Sequence, residues 1–243
     1  CDHVSTLLFS PTKTGFDNLV KEGFKTGNPA PYTANNPKIY HCGDVMLDNS
    51  LYFSEVADQK INLEQKYGVL KENYVLATIH RNNNTDEPQR LTDLFDALNR
   101  ISLTYKKDIV LPLHPRTAKL LEQNLSPVVY EAVKKNTGFK IVPPASFVEM
   151  IALEKNAVTV VTDSGGVQKE AFYFKKPCII LRPETEWVEL VNCGAAIITD
   201  ADGKKILDAF EHFSAHKQVD FPAFYGDGKA AEFICQEILT HLS

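Results

Sequence analysis

The stretch that decides the fold is Thr162-Asp163-Ser164-Gly165-Gly166-Val167-Gln168-Lys169-Glu170-Ala171. An apolar, β-branched run at 157–161 precedes it, and a helical pattern follows over 167–174. This order predicts a strand, a tight glycine turn and a helix. Asp163 or Ser164 can cap the start of that helix, because both side chains accept hydrogen bonds from backbone N–H groups.

The glycine turn is a candidate phosphate site. Gly165 and Gly166 leave backbone N–H groups uncovered, and the N-terminus of a helix attracts anions, phosphate above all. Ser164, Gly165 and Gly166 are therefore predicted to bind a phosphate group. Glu170 lies one to two turns further on, within reach of a ribose or sugar hydroxyl. The alternative is an ordinary capped turn, since short glycine motifs are weak signals.

The rest of the chain alternates short apolar strands with helical patterns. Strands are predicted at 4–9, 38–42, 74–79, 108–113, 139–142, 157–161, 178–181 and 195–198. Helices are predicted at 10–24, 45–53, 88–101, from 118 onward, at 146–153, 167–174, 203–213 and 228–241, with a polar turn at 80–85. This alternation predicts an α/β fold with a Rossmann-like, doubly wound parallel sheet.

Polar clusters follow several predicted strands, and in such a sheet these ends share one edge, where ligands bind. The clusters are His80-Arg81, His114-Pro115-Arg116, Ser164-Gly165-Gly166, and Arg182 with Glu184 and Glu186. Imidazole and guanidinium groups suit a diphosphate. The alternatives are a surface His-Arg pair, a turn fixed by proline and a surface ion-pair cluster.

The composition limits the classes of function that the chain can have. The chain has 243 residues, 44% of them hydrophobic, and a net charge of −5, with no basic run suited to nucleic acid. No apolar run reaches the roughly 18–20 residues of a membrane span, so a cytoplasmic protein is expected. The five scattered cysteines predict reduced, mostly buried thiols, and the seven histidines show no metal-ligand spacing. We expect no metal or cofactor, and no nucleic-acid or membrane partner.

Several motifs together resemble the non-hydrolysing UDP-N-acetylglucosamine 2-epimerase family, over nearly the whole chain. They are Phe9-Ser10-Pro11-Thr12, Gly43-Asp44-Val45 with Asp48, Thr78-Ile79-His80-Arg81 with Asn84-Thr85, the stretch 162–171, Arg182 with Thr185-Glu186, and Tyr225 to Ala230. Residues 185–189, Thr-Glu-Trp-Val-Glu, together with residues 111–116, Leu-Pro-Leu-His-Pro-Arg, look more like the branch that acts on UDP-2,3-diacetamido-glucuronic acid. The family's loop usually has Glu where this chain has Asn83.

The resemblance implies the carboxy-terminal half of a GT-B-like fold of two Rossmann-type domains. It implies an isomerase for cell-surface polysaccharide precursors, which inverts C2 of a UDP-2-acetamido sugar by eliminating and re-adding UDP. His80 is the expected catalytic residue. The expected UDP-sugar-binding residues are Arg81, His114, Phe147, Ser164, Gly165, Gly166, Glu170, Arg182 and Glu186. The alternatives are a GT-B glycosyltransferase and a UDP-sugar-binding regulatory domain.

The resemblance also predicts the domain organisation. Residues 1–36 are expected to be a remnant of an amino-terminal domain and linker, 37–215 the UDP-sugar-binding domain, and 216–243 a crossover helix. The acid/base carboxylates of the family lie in its amino-terminal domain. The 243-residue chain is therefore expected to be a truncated portion that is inactive alone, and the full-length protein a homodimer.

Overall fold

A computed structural model describes residues 1–113, 115–215 and 219–241 of the chain. The chain divides into two compact units. The first consists of Cys1–Tyr52 together with the residues from Pro222 on, and the second is Phe53–Phe221. The domain functions expected for 1–36, 37–215 and 216–243 stay predictions.

The helices and strands alternate along the chain. The strands are β1 (Leu7–Ser10), β2 (Lys38–His41), β3 (Tyr74–Thr78), β4 (Asp108–Pro112), β5 (Phe139–Val142), β6 (Thr159–Thr162), β7 (Cys178–Ile180) and β8 (Ala196–Ile198). The helices are α1 (Lys13–Lys21), α2 (Val45–Lys60), α3 (Leu63–Tyr67), α4 (Asn82–Thr85), α5 (Pro88–Tyr105), α6 (Pro115–Asn124), α7 (Pro127–Lys135), α8 (Phe147–Asn156), α9 (Gly165–Tyr173), α10 (Val188–Asn192), α11 (Gly203–Ala215) and α12 (Ala230–His241), and a 3-10 helix spans Asp2–Val4.

The first unit contains a two-stranded parallel sheet of β1 and β2. Leu8, Phe24 and Ile39 form its small apolar core. The Thr12 hydroxyl accepts a hydrogen bond of 3.0 Å from the Gly15 amide and so caps α1. The short core is consistent with a sheet of only two strands.

The second unit is built on a six-stranded sheet in the order β5-β4-β3-β6-β7-β8. Every pair of neighbouring strands is parallel. All residues of the central strands β3 and β6 are buried, because helices cover both faces of the sheet. The expected α/β class and doubly wound parallel sheet are confirmed.

The strand order reverses between β3 and β6. From β3 the chain proceeds outward to β4 and β5, and then returns to β6 on the other side of β3. In such sheets ligands bind outside the carboxyl ends of the strands at this switch point. The loops that follow β3 and β6 therefore lie where a ligand is expected.

Two local predictions were wrong. The expected polar turn at 80–85 contains the one-turn helix α4. The single helix expected from residue 118 is two helices, because Ser126 starts a new one: its hydroxyl accepts from the Val129 amide at 3.3 Å, and Pro127 occupies the first turn. That Ser-Pro signal is visible in the sequence.

Candidate functional site

The last residues of the two central strands bring the candidate loops together. The hydroxyls of Thr78 and Thr162 are hydrogen-bonded at 2.5 Å across the switch point. Thr162 Oγ1 also accepts a bond of 2.9 Å from the Ser164 amide. The loop after β3, with His80 and Arg81, is thereby fixed beside the turn that starts α9.

Asp163 ties these two loops to each other. Its fully buried carboxylate accepts hydrogen bonds from the backbone amides of His80, at 3.1 Å to each oxygen, and Arg81, at 3.0 Å. The Asn84 side-chain amide donates a further bond of 3.0 Å. Arg81 Nε donates a hydrogen bond of 3.0 Å to the Asp163 carbonyl oxygen. Of the two residues expected to cap the helix, Asp163 does not, because its carboxylate is already bound by the loop after β3.

Helix α9 begins without a side-chain cap. Ser164 is its N-cap residue, but the Ser164 hydroxyl makes no capping bond. Within the described residues, the amides of Gly165 and Gly166 have no hydrogen-bond partner, and both residues are partly exposed. An uncapped, accessible helix N-terminus has N–H groups and a partial positive charge to offer an anion.

Arg182 and Glu186 lie beside this N-terminus. The Arg182 guanidinium is buried and donates two bonds of 2.8 Å to the two carboxylate oxygens of Glu186. These bonds, with a smaller contribution from the charge of Arg81, lower the pKa of Glu186 to about 2. A Cβ added at Gly165 would lie 3.5 Å from Glu186 Oε2 and 3.8 Å from Arg182 Nη1. Arg182 thus forms an ion pair with Glu186, but its guanidinium is buried beside the candidate phosphate site and is not part of a surface cluster.

Asn84 contributes to the site in a way that sequence reasoning missed. Its side-chain amide donates to Asp163 and, at 3.0 Å, to the Leu181 carbonyl, while its oxygen accepts from Arg90 Nη2 at 2.9 Å. Arg90 in turn forms an ion pair with Asp200. This network, buried at Asn84 and Asp163 and partly exposed at Arg90 and Asp200, joins the ends of β3, β6 and β7 to the segment after β8.

Two further predicted residues lie on helices near the sheet edge. Glu170 is partly buried on α9, and burial raises its pKa, against the opposing charge of Lys169. Phe147 opens α8 after β5 and is about half exposed, with its ring edge-to-face with Phe53 at 5.1 Å. Among the described residues, neither side chain forms a hydrogen bond, an ion pair or a ring contact with the turn at 164–166.

The structure brings several predicted site residues into one cluster. His80 and Arg81 follow β3, the turn at 164–166 follows β6, and Arg182 with Glu186 follows β7. His114 lies outside the described residues. The roles assigned to these residues stay predictions, whereas their placement at one sheet edge matches the expectation.

Other features of the described chain bear on function. All five cysteines are free thiols, as expected, but the expectation that most of them are buried was wrong, because only Cys178 is buried. No group of three potential metal ligands occurs among the described residues. None of the helices in the described ranges is both long enough and apolar enough to cross a membrane.

Comparison with known proteins adds independent evidence. A family model described as UDP-N-acetylglucosamine 2-epimerase matches residues 1–239. A UDP-2,3-diacetamido-2,3-dideoxy-D-glucuronate 2-epimerase of Pseudomonas aeruginosa is 39% identical over 97% of this chain and 60% of its own length. A UDP-N-acetylglucosamine 2-epimerase of Methanocaldococcus jannaschii is 35% identical over 99% of this chain and 62% of its own length.

The similarity extends to solved structures. The Methanocaldococcus jannaschii UDP-GlcNAc 2-epimerase in complex with UDP-GlcNAc and UDP has a TM-score of 0.80 at 33% identity, covering 97% of this chain and 61% of that one. This similarity confirms the expected GT-B-like fold. The chain spans about 60% of the length of the curated relatives that it matches.

Proposed function

Because this chain belongs to the UDP-N-acetylglucosamine 2-epimerase family, we propose that its sheet edge binds the diphosphate of a UDP-sugar whose C2 is inverted. One observation carries the proposal: the uncapped N-terminus of α9 lies at the switch point of the sheet, beside Arg182. Backbone N–H groups and a guanidinium together suit a diphosphate.

The proposed reaction is an elimination followed by an addition. A base removes the proton on C2, the C1–O bond breaks, and UDP leaves with the bonding electrons to give a 2-acetamidoglucal. UDP then adds back at C1 while C2 is protonated from the other face. The amides of Gly165 and Gly166, with Arg182, would stabilise the negative charge on the leaving UDP. We assign Arg81 and His80 to the same diphosphate.

We assign Glu170 to a ribose or sugar hydroxyl, and two other carboxylates described at this edge, Asp163 and Glu186, are poor candidates for proton transfer at C2. Asp163 is buried and accepts bonds from three N–H donors. Glu186 has a pKa of about 2 because Arg182 holds it, whereas an efficient base has a pKa near the working pH. We therefore propose that the 243 residues bind UDP and supply leaving-group stabilisation, and that by themselves they do not turn over the sugar.

Two substrates fit this proposal. The first is UDP-N-acetylglucosamine, the substrate in the family's description. The second is a UDP-2,3-diacetamido-glucuronate, which is favoured by the 39% identical Pseudomonas aeruginosa relative and by the segment 185–189, Thr-Glu-Trp-Val-Glu. Either product would be a precursor of a cell-surface polysaccharide.

The proposal is tested by binding and by turnover. Calorimetry of the 243-residue chain should show saturable binding of UDP and much weaker binding of uridine, which lacks the phosphates. The complete gene product, incubated with each UDP-sugar in deuterated water, should yield the C2 epimer with deuterium at C2. Equal affinity for UDP and uridine would contradict the phosphate site.

The same incubation separates the alternative functions. Free UDP together with a new glycoside would indicate a glycosyltransferase. UDP-sugar binding without any change of the sugar in the complete gene product would indicate a regulatory domain.

A further inference from the structure

The segment after β7 is held against the start of α9 by three side-chain contacts. Thr185 Oγ1 donates to Gln168 Oε1 at 2.6 Å. Trp187 Nε1 donates to the Gly165 carbonyl at 2.9 Å. The Lys169 ammonium lies 4.2 Å from the centroid of the Trp187 ring, which is a cation–π contact. We call residues 185–187 the latch.

The latch is anchored on buried groups. Gln168 is fully buried and Lys169 is nearly so. The latch backbone is also fixed, because the Trp187 amide donates to Thr185 Oγ1 at 3.1 Å. Contacts to buried polar groups are strong restraints, because breaking them leaves a buried acceptor unsatisfied or reduces the stabilisation of a buried charge.

Glu186 lies between the two anchored residues of the latch. Its carboxylate accepts both bonds from Arg182. The Trp187 indole nitrogen and Glu186 Oε2 are each 3.5 Å from a Cβ added at Gly165. The indole, the carboxylate and the guanidinium therefore converge on the first residue of α9, where the diphosphate is proposed to bind.

We propose that Trp187 is a positioning residue for the UDP-sugar diphosphate. It fixes the latch on α9, the latch fixes Glu186, and Glu186 holds the Arg182 guanidinium at the helix N-terminus before the ligand arrives. This inference rests on the proposed function. An arginine that is already oriented loses less conformational freedom when the ligand binds, and binding is correspondingly tighter.

The first test needs no variant and no ligand. Trp187 is the only tryptophan of the chain, so the indole N–H gives a single NMR signal. Its bond to the Gly165 carbonyl should make hydrogen exchange of this N–H much slower than that of free tryptophan. Exchange at the free rate would overturn the latch, whether or not the chain binds UDP.

The second test is a double-mutant cycle measured by calorimetry with UDP. Trp187→Phe keeps a ring for Lys169 but removes the N–H donor, and it should weaken UDP binding by about 2- to 10-fold. In an Arg182→Gln background the same change should have less than about a twofold effect, because Trp187 acts through Arg182. Tyr105→Phe is the control, since Tyr105 packs on Phe210 away from the latch. It should leave UDP affinity unchanged.

The outcomes separate the two proposals. Multiplicative effects of Trp187→Phe and Arg182→Gln, or a Trp187→Phe chain with wild-type affinity, would overturn the positioning role while UDP binding stands. A wild-type chain that does not bind UDP would overturn the proposed function, and the positioning role with it. Thermal unfolding of each variant verifies that it folds.

Discussion

Gly165→Ala separates the stability of the glycine turn from its proposed function. Gly165 is the first residue of α9, and an added Cβ would lie 3.5 Å from Glu186 Oε2 and from Trp187 Nε1. Those are ordinary van der Waals distances, so the free chain accommodates the methyl group. Replacing glycine by alanine in a compatible conformation stabilises a protein by about 0.4–1 kcal/mol. We expect the variant to be at least as stable as the wild type.

The same methyl group should impair ligand binding. It would project between the uncapped amides of α9 and Arg182, into the volume that a phosphate needs. Losing one good phosphate contact corresponds to about a tenfold weaker UDP affinity, or ~1.4 kcal/mol. The prediction is thus a stable protein with weakened UDP binding, measured by urea unfolding and calorimetry.

A matched control is available in the same unit. Gly203 is the first residue of α11, and an added Cβ there would be 3.4 Å from the Asp93 carbonyl oxygen. The methyl group would meet only Asp93 and Ala97 of α5 and no residue of the phosphate site. Gly203→Ala should therefore leave UDP affinity unchanged. Wild-type UDP affinity in Gly165→Ala would refute the reasoning, as would an equal loss of affinity in both variants.

Three further predictions concern buried and paired carboxylates. Asp163→Asn should lower the free energy of unfolding, measured in urea, by about 2–4 kcal/mol, because an amide group would face the N–H donors of the loop after β3. The control is Asp208→Asn at an exposed ion pair, which should change the free energy of unfolding by less than about 0.5 kcal/mol. Glu186 has its pKa lowered from 4.5 to about 2, so its stabilising contribution is complete above the unfolded pKa and is lost as the pH falls towards the folded one. The difference in urea midpoint between wild type and Glu186→Gln should therefore shrink in acid, and a pH-independent difference would contradict the pairing. Glu154 is buried, and neither of its carboxylate oxygens has a partner among the described residues, so burial raises its pKa well above 4.5. The wild type should therefore lose stability relative to Glu154→Gln as the pH rises above 4.5. Parallel pH profiles of stability would show that Glu154 does not titrate abnormally.

The sequence predicts the sheet well because each strand is a short apolar run between polar turns. All eight predicted strands are present, and β5 has the expected bounds of 139–142. Parallel strands that are buried on both faces need such runs, so the pattern is local and strong. The placement of His80, Arg81 and Arg182 at one edge follows from the strand order.

The hydrogen bonds inside the site were not predictable from local pattern. Asp163 resembles a helix cap, yet its carboxylate binds a loop that is 82 and 83 residues away in sequence. Asn84 and Trp187 likewise find partners only after the strands are assembled, at the end of β7 and at the start of α9. Such long-range partners have no signature in a single sequence, because any polar side chain at those positions could bind water instead.

The short helices were missed for a different reason. Helices α3, α4 and α10 have only four or five residues each. A pattern of that length covers little more than one turn, so the apolar spacing cannot distinguish it from a loop. Tertiary contacts decide these segments.

The most direct test of the account is an NMR titration of the chain with UDP. The amide signals of Gly165 and Gly166 should shift strongly and saturate, together with the indole signal of Trp187. Small shifts at these three groups, with larger ones along the groove lined by Arg90, Asp93 and Asp208 between α5 and α11, would place the ligand elsewhere and contradict the central claim.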